Sequence, residues 1–145
     1  MAEAACGPGD DRAVEATMDK NDPLGTVQRM FAAFRAGDID AVVDTVAPDT
    51  RWTYIGANPK PAKADLVGKA GVRRFFDGIV KRLDVKAFDA SEFVLEGDTV
   101  VVFGGESGTV RATGEPFRNE WCQKYVVNAN QITGMVEYNI QVEPR

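Results

Sequence analysis

The stretch TVVVFGGESGTVRATGEPFRNEWCQKYVVNANQITGMVEYNIQV, residues 99–142, decides the fold. Thr99 to Ala112 reads as a long strand, interrupted by Gly104-Gly105, where a glycine pair predicts a bulge or bend. Thr113 to Pro116 turns the chain, Phe117 to Val127 forms the next strand, Asn128 to Gln131 makes a tight turn, and Ile132 to Val142 is the last strand. Upstream, Val85 to Leu95 is another strand, joined to Thr99 by a hairpin at Gly97-Asp98.

Before this run of strands the apolar period changes from two to three or four. Asp22-Pro23 opens a helix, since Asp is a good N-cap and Pro fits the first helical position. Val27, Met30, Phe31 and Phe34 are its apolar stripe. Gly37 stops it, and Asp38 caps a second, shorter helix with a stripe of Ile39, Val42, Val43 and Val46, followed by Pro48. Arg51 to Ile55 reads as a strand, and Gly56 to Gly68 as a long loop that covers a binding site. A third helix begins near Lys69, with Val72, Phe75, Phe76, Ile79 and Leu83 on its apolar face. Lys69 between Gly68 and Gly71 lacks phosphate-loop spacing and reads as part of the helix start. Helices followed by strands predict an α+β domain: three N-terminal helices packed on a strongly curved, mostly antiparallel sheet, a cone-shaped arrangement enclosing a pocket. Residues 1–21, rich in Ala, Gly and Asp, are expected to be a flexible tail, and residues 22–145 the one domain.

Composition narrows the function. The chain has 145 residues, a net charge of −5 and no histidine, which removes histidine-based triads, zinc sites and acid-base chemistry. Residues 1–23 set six acids against Arg12 and Lys20, so nearly all the net charge lies there. The remaining body is almost neutral, which argues against a nucleic-acid partner. No apolar run reaches the ~20 residues of a membrane span, and the start lacks the pattern of a signal peptide. A cytoplasmic protein with no membrane partner is expected. Cys6 and Cys122 make no disulfide framework, no metal-ligand cluster is visible, and no cofactor is expected.

Several segments resemble the SnoaL-like and ketosteroid isomerase-related proteins of the nuclear-transport-factor-2-like superfamily. Phe34-Arg35-Ala36-Gly37-Asp38-Ile39-Asp40 resembles the family's turn between its first two helices, and Gly68 to Phe76 its third-helix opening. Thr113 to Cys122 resembles the hairpin and strand of the isomerase-related branch, and Gln131 to Tyr138 its last strand. The resemblance covers about Leu24 to Val142 and implies a cone-shaped fold around a pocket for a small, largely apolar molecule. It implies cofactor-free acid-base chemistry: isomerisation, hydration or dehydration, epoxide opening or polyketide cyclisation. The alternative is a non-catalytic ligand-binding or dimerising domain.

Strand alternation and this resemblance together select the candidate residues. Met135, Glu137, Asn139 and Gln141 share one face of the last strand. In the related limonene epoxide hydrolases an acid matching Glu137 points into the cavity, and Glu106 falls near a second pocket acid. The plain alternative for each is a surface carboxylate. Trp52 and Tyr54 share a face, as do Asn119, Trp121 and Gln123. Amides beside a Trp are costly to bury without partners, so a polar-flecked aromatic cavity suits them better than a plain core. The candidate catalytic set is therefore Glu137, Tyr54 and Glu106. Trp52, Asn119, Trp121, Gln123, Met135 and Asn139 are candidate substrate contacts, with Phe34 and Phe76 from the helices.

Three departures from the family stand out. Gly104 occupies the place of the epoxide hydrolases' basic residue. Thr53, Tyr54 or Ile55 stands where the ketosteroid isomerases carry their base. Ile140 replaces an Asp common in the branch. The opposite sheet face, with Val136, Tyr138, Ile140, Cys122 and Val126, lacks intrachain cover, so a homodimer through it is expected.

Overall fold

The computed structural model describes residues 20–56 and 62–143. The expected tail therefore lies outside the described residues, apart from its last two positions. Helix α1, Pro23–Arg35, starts as its sequence dictates: the Asp22 carboxylate accepts from the Gly25 amide at 3.0 Å, and Pro23 takes the first turn. It buries Val27, Met30 and Phe31. Helix α2, Ile39–Asp44, is capped by Asp38, which accepts from the Ala41 amide at 3.0 Å.

The second helix is shorter than its apolar stripe suggests. Val46 opens strand β1, Val46–Ile55, and pairs with Ile132. A buried valine spaced four residues after Val42 fits a helix stripe and a strand equally well, and pairing with the last strand decides. Pro48 lies within β1, in the interval between Val46 and Arg51 where the ladder shifts register, so its missing N–H breaks no regular pairing. The expected 56–68 loop also contains a strand. β2, Lys63–Val67, runs antiparallel along β1, with Tyr54 opposite Ala64 and Trp52 opposite Leu66. Helix α3, Gly68–Arg82, follows and buries Val72, Phe75 and Phe76. The Lys69 ammonium donates to the carbonyls of Val43 and Val46 at 3.0 and 2.8 Å, which ties the helix start to the α2–β1 junction.

Strands β3 (Leu83–Glu96), β4 (Thr99–Val110), β5 (Pro116–Asn128) and β6 (Gln131–Val142) form a meander. The six strands make one sheet in the order β2-β1-β6-β5-β4-β3, with only β1 and β6 parallel. The fold is α+β with a mostly antiparallel sheet, as expected, although one of the three helices follows the first two strands. The bulge is displaced from its expected strand. β4 pairs with β5 without interruption through Gly104-Gly105, and the irregularities fall on β3, between Val85 and Ala87 and between Ala90 and Glu92. A Cβ at Gly104 would clash with the backbone carbonyl oxygen of Asp89 on β3 and sit 2.5 Å from the Trp121 indole ring. The strand carries glycine there because a backbone carbonyl and an indole occupy the side-chain space, and no basic residue fits.

The β5–β6 turn places Ala129 and Asn130 at φ 52° and 59°, the left-handed pair of a two-residue hairpin. Asn21 clamps it. Its side-chain Oδ1 accepts from the Asn130 backbone N–H at 2.9 Å, and its Nδ2 donates to the Val127 carbonyl at 2.7 Å.

Burial alternates residue by residue along β5. Phe117, Asn119, Trp121, Gln123, Tyr125 and Val127 face the helices, and the intervening side chains face away. On that other face Phe103 pairs with Cys122 and Cys122 with Tyr138; Tyr138 is 55% exposed and Ile140 65%.

Candidate functional site

One row of paired residues crosses the centre of the sheet. Ala64, Tyr54, Glu137, Gln123 and Val102 are successive neighbours on β2, β1, β6, β5 and β4. Strand alternation turns this row toward the helices, so Glu137 is buried at 6% exposure beneath the aromatic side chains of α1 and α3. Its two carboxylate oxygens are held by amides. Oε1 accepts from Gln123 Nε2 at 2.9 Å, and Oε2 from Asn139 Nδ2 at 2.8 Å. The Tyr125 hydroxyl donates to Gln123 Oε1 at 2.7 Å, which fixes the Gln123 amide with its nitrogen toward Glu137.

These donors are neutral, and no cation pairs with Glu137 among the described residues. Burial penalises the carboxylate more than two amides favour it, and Glu106 adds repulsion. The Glu137 pKa is pushed up to about 7. Glu106 accepts from Asn119 Nδ2 at 3.0 Å, and burial raises its pKa also. The Tyr125 phenol is held well above its ordinary value by burial and by the nearby Glu137.

Glu106, Gln123, Glu137 and Asn139 supply the polar part of a pocket whose wall is otherwise aromatic and aliphatic. Of the residues selected from sequence, Phe34, Trp52, Tyr54 and Phe76 also line it. Asn119, Trp121 and Met135 do not. Asn119 is buried behind Glu106, Trp121 stacks on Phe88 with centroids 5.4 Å apart, and Met135 is core between Trp52 and Tyr125. Sequence reasoning missed Phe31, Phe75, Phe88 and Tyr125 as lining residues. Tyr125 shares the alternation of Asn119 and Gln123 and was legible from it. Phe88 was not, because it lies between two irregularities of β3 that break the parity along its strand.

Tyr54 lies next to Glu137 on the neighbouring strand. A methyl group on Gly56 would lie 2.8 Å from both the Tyr54 hydroxyl and Asn139 Cβ, so only glycine fits beside this corner. The open space is small, a cavity of about 30 Å3, room for a water or two. Two buried amide oxygens, Asn119 Oδ1 and Asn139 Oδ1, have no hydrogen-bond partner among the described residues. An acceptor left so costs free energy, and Asn139 lines the pocket where a donor would satisfy it. Among the described residues no three Cys, Asp or Glu side chains are grouped to hold a metal ion. No helix among them is long and apolar enough to cross a membrane.

A mostly antiparallel sheet carrying three helices makes this chain similar in fold to solved proteins of the NTF2-like class. One from Burkholderia thailandensis is 26% identical, with a TM-score of 0.72 over 81% of this chain and 89% of its own. Another, from Burkholderia xenovorans, is 25% identical, with a TM-score of 0.71 over 81% and 88%. A protein of ketosteroid isomerase-like fold from Catenulispora acidiphila, crystallised with trimethylamine, is 18% identical, with a TM-score of 0.65 over 78% and 83%. Within this class the chain belongs to the SnoaL-like domain family, whose model matches residues 27–135. No curated protein matches in sequence.

Proposed function

We propose that this protein is a cofactor-free acid-base enzyme, with Glu137 moving a proton between two positions of a small, largely apolar substrate. Isomerases and polyketide cyclases are typical of the fold. One observation carries the reading: a carboxylate buried under aromatics, held by neutral amides, with a pKa of about 7. Such a group both takes and returns a proton near neutrality, which a surface carboxylate does poorly.

In this mechanism the ionised Glu137 removes a proton from carbon adjacent to a carbonyl. The electron pair moves onto the carbonyl oxygen as an enolate. Tyr54, beside Glu137, or the protonated form of Glu106 donates a hydrogen bond to that oxygen. Protonated Glu137 then delivers its proton to a different carbon, or to a leaving hydroxyl that departs as water. Asn139 serves both protonation states. Its nitrogen donates to the carboxylate, and a half-turn of the amide presents its unpartnered Oδ1 to the acid's hydroxyl. A conical pocket closed around the substrate belongs to this reading, because excluding water strengthens each of these bonds.

The test is deuterium exchange followed by NMR, using a panel of cyclic β,γ-unsaturated and β-hydroxy ketones in D2O. The expected result is exchange or rearrangement of at least one compound, reduced at least ~100-fold by Glu137→Gln. Exchange unaffected by that substitution, or absent across the panel, overturns the enzyme reading. Binding without exchange would identify a ligand-binding domain instead.

We also propose that the outer sheet face joins two copies of the chain. Phe103, Tyr138 and Ile140 are large, apolar and 42–65% exposed on that one face. A twofold contact covers the same patch on both copies.

A further inference from the structure

The aromatic wall of the pocket has a second side. Phe34, Ile79, Leu83 and Phe88 line the inner cavity and also a wider vestibule of about 370 Å3. A molecule of useful size does not fit the inner space of about 30 Å3 alone. It must extend through this wall into the vestibule, so the vestibule sees its outer end.

The two compartments have opposite charge character. The inner one holds the carboxyl groups of Glu106 and Glu137 and no cation. The vestibule is lined by Arg35, Lys86 and Arg111 against the single carboxylate of Asp84, on a chain whose net charge is −5. Lys86 is committed to Asp84 at 3.0 Å. Neither Arg35 nor Arg111 makes a direct ion pair among the described residues, although Arg111 lies near enough to Asp84 to help Lys86 hold its pKa down. Both are positioned. The Arg35 guanidinium lies 5.8 Å from the centroid of the Phe88 ring, over a wall of the pocket. Arg111 donates through Nε to the Val80 carbonyl at 2.9 Å, which leaves its two terminal nitrogens as donors.

From this juxtaposition we infer that the pocket's substrate is an amphipathic anion, with its apolar body inside and a carboxylate at its far end held at the mouth by Arg35 and Arg111. The inference rests on the reading of the inner pocket as the reaction site. Buried carboxylates repel an anionic end, and the vestibule arginines attract it, so charge orients the molecule. The reacting carbon enters toward Glu137, and the carboxylate stays in the wetter outer compartment.

The test uses a matched pair of probes, 4-phenylbutanoate and 4-phenylbutanamide, titrated by calorimetry at pH 7 and low salt. The acid is expected to bind about tenfold more tightly than the amide, with the preference shrinking at high salt. Arg35→Gln and Arg111→Gln are each expected to weaken the acid about threefold, and the double variant about tenfold. Amide affinity should stay within about twofold in every variant, which also reports that the variants are folded. If the acid and amide bind wild type alike, or the double variant keeps the full preference, the mouth assignment is overturned and the pocket reading stands. If neither probe binds, the pocket reading falls with it.

Discussion

Glu137→Gln should stabilise the protein at pH 8 and lose that advantage at pH 4.5. The folded-state pKa is about 7 against an ordinary 4.5, so the folded protein holds this proton more tightly than the unfolded chain does. For an acid shifted upward, the stabilising contribution is complete below 4.5. It is lost as pH rises, because the unfolded chain ionises first, and the loss is finished above about 7. At 1.36 kcal/mol per unit, the folded state gives up about 3 kcal/mol across this window. Glutamine has nearly the same shape and never ionises. Its oxygen keeps the bond from Gln123, and its nitrogen meets Asn139 Oδ1 once that amide turns over. Urea unfolding of both proteins from pH 4.5 to 8.5 measures the effect. Wild type should fall by about 3 kcal/mol relative to the variant, a melting shift on the order of 10 °C at pH 8. Relief of Glu106, which no longer faces a second charge, acts in the same direction. Parallel stability curves would refute the argument, because they would mean that Glu137 carries no extra proton in the folded state.

Tyr125→Phe removes the donor that fixes the Gln123 amide, so Glu137 should titrate higher still; a lower value by carboxyl-carbon NMR would count against this role. Gly104→Ala forces a methyl against the Asp89 carbonyl and the Trp121 ring and should cost about 1–3 kcal/mol in denaturant unfolding; an unchanged midpoint would count against this fit. Asp22→Ala should cost about 1 kcal/mol, read the same way, through loss of the α1 cap. Ile140→Asp places a carboxylate on the proposed contact face and should shift sedimentation at micromolar concentration from dimer to monomer; a wild type already monomeric overturns that contact.

Local chemistry made much of this fold readable. Asp22-Pro23 and Asp38 announce helices because a carboxylate satisfies amides that a helix start leaves open. The inward position of Glu137 followed from strand alternation and family resemblance, because a period of two leaves only two faces. What stayed hidden depended on partners far along the chain. Val46 leaves its helix because Ile132 is there to pair with it, and Lys63–Val67 becomes a strand because β1 offers a free edge. Neither segment has enough local pattern to declare itself. The glycine pair signalled a close approach correctly but not its cause, since the neighbours that need the space, the Asp89 carbonyl and Trp121, lie on other strands. The missed pocket aromatics and the included Trp121 share one origin: face assignment tells inside from outside, not which inner side chains border the open space.

The parallel pairing of β1 with β6 sets an order on biosynthesis. β3 to β6 is a meander that can zip up hairpin by hairpin as it is made. The earlier third of the chain has no such option. β1 and β2 meet the rest of the sheet only through β6, and Asn21 closes its bonds on a turn 109 residues later. During vectorial synthesis β1 and β2 therefore emerge early and wait, with one edge of β1 unpaired, until β6 is made. This interval exposes the nascent chain to aggregation and to chaperone capture. Moving the start of the chain to the α3–β3 junction, so that the meander is made first, would shorten it.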